Sequence, residues 1–219
     1  MEQAKAEILD AVSQALQRGR VKLVQEGVKT ALEAGLSAQE ILSGGLLPGM
    51  DVVGEKFKNN EVYVPEVMIA ARAMTAGTEL LKPYLAKDGP RSAGKVCIGT
   101  VRGDMHDIGK NLVKMMMEGK GLEVLDLGTN VSPQRFLDAA VNEHCRIVAC
   151  SALLTTTMPV MREVVEAFAA AGKREEFFIM VGGAPVTQAF CDEIGADSYT
   201  PDAASAADAA LDYCRGKAG

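Results

Sequence analysis

The chain contains no tryptophan, only two histidines and few aromatic residues, 5% of its 219 positions. Its core must therefore come mainly from aliphatic and methionine side chains, and hydrophobic residues make up 48% of the sequence. It has no C-x-x-C pair among its five cysteines, Cys97, Cys145, Cys150, Cys191 and Cys214. Neither a disulfide framework nor a zinc site is expected from that spacing, and a buried free thiol is the default for Cys97 and Cys150 inside strand-like runs. No apolar run is long enough to cross a bilayer, and no charged-apolar-small leader opens the chain, so a cytoplasmic location is expected. A basic surplus is missing too. The net charge is −6 with both signs interspersed, which argues against non-specific nucleic-acid binding.

The length fits one large or two modest domains, and the periodicity favours two. Residues 4–17 and 21–34 carry apolar residues at helical spacing, such as Ile8, Val12 and Leu16, then Val24, Val28 and Ala31. Gly35 closes the second helix, and Ser37 caps a third that runs through Ile41, Leu46, Met50 and Val53 towards Phe57. Pro65 suits the first turn of a fourth helix. The pattern predicts a four-helix bundle over residues 1–86 and a polar Gly/Pro-containing linker over 87–94.

From residue 95 the rhythm becomes strand-helix alternation. The strands are predicted at 96–101, 123–127, 147–152, 177–182 and 197–200, with helices at 108–120, 133–143, 159–171, 187–194 and 202–214. This predicts an α/β domain over 95–219, a flavodoxin-like sheet of five parallel strands in the order 2-1-3-4-5. Ligands of such sheets sit at the carboxyl ends of the strands, at the switch point between strands one and three. Three unusual loops converge there. The first holds Gly103, Asp104, Met105, His106, Asp107 and Gly109. Asp104 is placed to accept a hydrogen bond from one ring nitrogen of His106, leaving the other as a base or metal ligand. The second carries hydroxyls between Ser151 and Thr157, and the third has Gly182-Gly183, where backbone can approach a ligand closely.

These motifs resemble the cobalamin-binding module of methionine synthase and of corrinoid proteins serving methanol and methylamine methyltransferases. The signature Asp-x-His-x-x-Gly, then Ser-x-Leu, then Gly-Gly is met by Asp104, His106 and Gly109, by Ser151 and Leu153, and by Gly182 and Gly183. The segments at 49–57 and 64–68 are similar to the helical cap of the same proteins, so the resemblance spans nearly the whole chain. It implies a cobalamin cofactor whose tail is buried in the sheet domain, with His106 as lower axial ligand to cobalt. It further implies that Asp104 orients His106, and that Thr157 extends a relay from the carboxylate towards solvent. Ser151, Thr155, Gly182, Gly183 and Ala203 match contacts to the buried nucleotide tail. Phe57 and Val64 match the two apolar residues that cover the upper face of the corrin, although such proteins commonly have leucine at the second.

The implied function is a methyl carrier. Co(I) would take a methyl group from a substrate-specific methyltransferase, and methyl-Co(III) would deliver it to a second methyltransferase with a tetrahydrofolate or thiol acceptor. A corrinoid reductive activator is a further implied partner. The alternative is a cobalamin-responsive sensor without methyl turnover, and a mutase subunit or flavodoxin-type electron carrier would fit fewer of the motifs. Plainer roles compete residue by residue. Phe57 and Val64 could be bundle core, and Thr157 could cap the helix that follows. One or two of Met115, Met116 and Met117 should pack in the core. Lys110 and Asn111, like His144, would by default be solvated.

Overall fold

Capping chemistry starts the third rod of the N-terminal bundle. The Ser37 hydroxyl accepts from the Glu40 N–H at 3.2 Å while the Glu40 carboxylate reaches back to the Ser37 N–H at 2.7 Å, a reciprocal cap. In the computed structural model, which describes residues 2–85 and 92–216, the bundle comprises α1 (Glu2–Gln17), α2 (Val21–Glu33), α3 (Ala38–Ile41), α4 (Leu47–Lys58) and α5 (Val64–Leu85). A wider π turn, Leu42–Leu46, joins α3 to α4. The sequence predicts one uninterrupted helix here. Pro48 explains the difference, because it has no N–H to donate to the carbonyl four residues back. The turn widens instead, and the Leu47 N–H bonds to the Leu42 carbonyl, five residues back. Val12, Leu16, Val24, Val28, Met50, Val67, Met74 and Leu81 are buried in the bundle.

The second unit alternates strands and helices. Its strands are β1 (Lys95–Thr100), β2 (Glu123–Asp126), β3 (Ile147–Ser151), β4 (Phe178–Gly182) and β5 (Ser198–Tyr199). All pair in parallel, in the order β2-β1-β3-β4-β5, as the sequence predicts. The helices are α6 (Ile108–Gly119), α7 (Pro133–Asn142), α8 (Pro159–Ala170), α9 (Gln188–Ile194) and α10 (Ala203–Cys214). The central strands are buried along almost their whole length, as expected for a parallel sheet covered on both faces. On one face Cys97, Val148 and Ile179 pack with Phe136, Met161 and Phe168 from α7 and α8. Residues of alternate parity, such as Ile98, Ile147 and Met180, are buried as well.

Register brings the loop origins together. Thr100 pairs with Ser151, and Ser151 with Gly182, so the three strands end level. The chain divides into the units Met1–Arg91 and Ser92–Gly219. Most of the expected linker, residues 87–91, lies outside the described residues. Among the described residues no helix is long and apolar enough to cross a membrane, and the five cysteines are free.

Candidate functional site

The site is built around a carboxylate with no solvent contact. Asp104 is 0% exposed. Its Oδ1 accepts from the His106 N–H at 3.1 Å and lies 2.7 Å from His106 Nδ1. Oδ2 accepts from the Leu153 and Leu154 N–H groups at 2.8 and 3.2 Å. The Thr157 hydroxyl is 2.8 Å from Oδ2 and 2.9 Å from the Leu154 carbonyl. Burial alone would raise the Asp104 pKa, but the donors from His106, Leu153 and Thr157 outweigh it and hold the carboxyl well below its usual range. Asp104 is thus an ionised acceptor, which assigns the Nδ1 proton to the side facing it. The His106 side chain is 50% exposed, and among the described residues its Nε2 has no hydrogen-bond partner.

Loop geometry comes from both flanks. Gly103 has φ +84°, in the left-handed region that favours glycine. Thr100 donates its hydroxyl proton to the His106 carbonyl at 2.8 Å. Met105 and Ile108, on either side of His106, are 69% and 74% exposed, and Leu153 and Leu154 are exposed beside them. Exposed apolar side chains therefore stand on the two loops that carry the half-exposed imidazole and its carboxylate's donors.

The other expected residues are placed as follows. Asp104, His106, Leu153 and Thr157 form one bonded set, while Gly103 and Asp107 flank it in the same loop. Ser151 ends β3, and the hydroxyls of Ser151 and Thr155 make no side-chain hydrogen bond among the described residues. Gly109 and Gly182 have open space where a Cβ would stand, whereas a Cβ on Gly183, at φ +134°, would lie 1.9 Å from the Ala152 carbonyl oxygen. Ala203 is buried at the start of α10, which packs against α6. Phe57 and Val64 belong to the other unit. They lie near the facing ends of α4 and α5, and both are half-buried rather than in the bundle core.

Thr157 is buried, and its second contact is the Leu154 carbonyl, so its hydroxyl runs into the loop backbone. Lys110 corrects the sequence reading. It is 3% exposed, and its ammonium donates to both carboxylate oxygens of Asp126 at 2.7 and 2.8 Å and to Asn111 Oδ1 at 2.7 Å. His144 is exposed after α7, and Met116 and Met117 are fully buried. Sequence reasoning missed Asn130, which accepts from the Gly103 N–H through Oδ1 at 2.8 Å. The Gly-Thr-Asn turn at 128–130 was the available signal.

A parallel sheet with a carboxylate-held histidine at its switch point defines a ligand-binding doubly wound α/β module, here following a helical bundle. Comparison with known proteins makes the assignment specific. Residues 94–211 match a family described as the B12 binding domain, and residues 8–82 match a second family of the same description. The chain belongs to the B12-binding family. It is 39% identical over 215 residues to dimethylamine corrinoid protein 1 of Methanosarcina mazei, covering 98% of this chain and 99% of that protein. Among solved structures it resembles the methanol:cobalamin methyltransferase complex MtaBC from Methanosarcina barkeri, with TM-score 0.86 and 31% identity over 96% of this chain and 80% of that one. A cobalamin-binding protein from Desulfitobacterium hafniense matches with TM-score 0.79 and 31% identity, covering 96% and 98%.

Proposed function

We propose that this chain is a corrinoid methyl carrier working between a substrate-specific methyltransferase and a second methyltransferase that loads tetrahydrofolate or a thiol. The observation that carries the reading is the His106 pair: Nδ1 tied to a buried carboxylate and Nε2 left open. That arrangement fixes the direction of the imidazole and leaves Nε2 as the nitrogen available to a metal.

The residues present fit a corrinoid. No group of three or more His, Cys, Asp or Glu among the described residues could hold a bare metal ion, so a metal at Nε2 must bring its other ligands with it, as a corrin does. The exposed apolar side chains around His106 suit a flat macrocycle. The open space at Gly182 and the unbonded hydroxyls of Ser151 and Thr155 suit a polar tail. When bound, a corrinoid supplies a cobalt centre that can accept a methyl group and give it up.

In this reading His106 Nε2 would ligate the cobalt of the cofactor, and Asp104 would hold the tautomer and orientation of the imidazole. Thr157 and the Leu153 and Leu154 amides keep Asp104 charged, so the carboxylate accepts a hydrogen bond from Nδ1–H. Ser151, Thr155, Gly182, Gly183 and Ala203 would hold the nucleotide tail, and Phe57 and Val64 would cover the opposite corrin face. The domain boundaries proposed are residues 1–86 and 95–219. A reductive activator that restores over-oxidised cofactor would be a third partner. Names among the relatives support the role: one is a dimethylamine corrinoid protein and one solved structure is a methanol:cobalamin methyltransferase complex.

The test is reconstitution with hydroxocobalamin. The wild type should retain stoichiometric corrinoid through gel filtration, and its Co(II) state should show electron-resonance splitting from one nitrogen. His106→Gly should lose that splitting while still binding the tail. Splitting that persists in the variant, with the tail nitrogen excluded by isotope labelling, would assign the ligand to another residue.

A further inference from the structure

We infer that Asn130 is a positioning residue for His106, acting from the loop that follows β2, on the side of β1 away from β3. The inference rests on His106 being the metal ligand. It concerns a fourth loop, between β2 and α7, that the three motif loops do not include.

The five donors on Asp104 tie the His106 loop to the β3–α8 side and to itself. A loop held on one flank can still rock about that flank. Its freest point is Gly103, which has positive φ, no side chain and immediate adjacency to Asp104. Only its N–H and C=O can be gripped. Asn130 grips the N–H with Oδ1 at 2.8 Å, and its own N–H bonds to the Asp104 carbonyl at 3.0 Å. One residue thus spans the pivot on both sides.

Asn130 can do this because its φ is +55°, a conformation that asparagine tolerates better than most residues. The turn that carries it is anchored at each end. Behind it, the Val131 N–H bonds to the Thr100 carbonyl at 2.9 Å, extending the β1 pairing by a Val101–Val131 bridge. Ahead of it, the Gly128 carbonyl accepts from the Thr100 N–H at 2.9 Å, and the Gly128 N–H donates to Asp126 Oδ1 at 2.9 Å. Asp126 in turn is held by Lys110 from the first turn of α6, the helix that leaves the His106 loop. The β2–α7 turn is therefore locked to both the entry and the exit of that loop.

The experiment compares wild type with Asn130→Gly, which keeps the positive φ but removes the acceptor, and Asn130→Asp, which keeps an oxygen at that position. Amide exchange is read in the protein without cofactor, and nitrogen splitting of Co(II) after loading with cobalamin. One neutral hydrogen bond is worth a factor of about five. The Gly103 amide should exchange about fivefold faster in Asn130→Gly and near the wild-type rate in Asn130→Asp. In Asn130→Gly the ratio of nitrogen-split to unsplit Co(II) should fall by a similar factor at unchanged cobalamin content, and Asn130→Asp should restore it. An unchanged split fraction in Asn130→Gly, even with faster exchange, would overturn the assignment. So would faster exchange throughout β1, which marks a general structural role. Absence of His106-dependent splitting in the wild type would instead overturn the ligand reading, while the exchange arm still decides whether Asn130 holds the loop.

Discussion

Lys110 is a cation almost removed from water, and its charge is balanced by Asp126, which also accepts from Lys114 at 3.3 Å and from the Gly128 N–H. Burial opposes charge on Asp126, but the Lys110 hydrogen bond, the Gly128 N–H and the nearby ammonium charges more than offset it, so the Asp126 pKa is lowered. A folded-state pKa below the unfolded value means stability that is full above about pH 4 and lost as pH falls through the folded value. Asp126→Asn strands the buried ammonium and should cost about 3 kcal/mol at pH 7. Urea titrations at stepped pH should show the wild-type and variant stabilities converging as pH falls below about 4, the ordinary carboxylate value. Parallel curves would mean that Asp126 does not carry this term. The pair was illegible in the sequence because a lysine in a helix's first turn is usually solvated, and its partner lies 16 positions away. Asp104 and His106 were legible because they are local, two residues apart in one loop. The Gly-Thr-Asn turn marks Asn130 locally, but its contact with Gly103 depends on β2 lying beside β1, a fact of topology.

The end of β4 puts two adjacent glycines under opposite constraints. Gly183→Ala would drive a methyl into the Ala152 carbonyl at a backbone angle alanine rarely adopts. It should displace the loop and lower stability by about 2–3 kcal/mol. Gly182→Ala meets open space, so thermal stability should stay within about 0.5 kcal/mol of wild type. If that space receives the cofactor tail, cobalamin affinity should nevertheless drop at least tenfold in equilibrium dialysis. Unchanged affinity would place the tail elsewhere. At this scale most of the sequence reading holds, since periodicity, caps and strand rhythm are local and the strand order follows from the handedness of crossovers. The π turn at 42–46 escaped it because a proline's effect falls on the carbonyl of the preceding turn, and an apolar pattern does not show it.

Each of the two units has its own buried core, and the proposed cap residues and proposed ligand residues belong to different ones. If Phe57 covers the corrin, Phe57→Ala should leave cobalamin bound yet raise the photolysis yield of the methylated protein several-fold, since a freed methyl radical escapes more readily. Equal yields at matched cofactor content would return Phe57 to a packing role within the bundle. The Asp104 network has a temporal consequence as well. Its donors Leu153, Leu154 and Thr157 lie 49 to 53 positions downstream, on a loop that reaches Asp104 only when β3 has docked beside β1. A nascent chain emerges from its N-terminus, and non-local pairings form late because loop closure must come first. The histidine is therefore translated well before it is oriented. If His106 holds the cofactor, loading waits for a folded sheet, and a growing chain that ends before residue 153 carries the His106 motif without the downstream donors to Asp104.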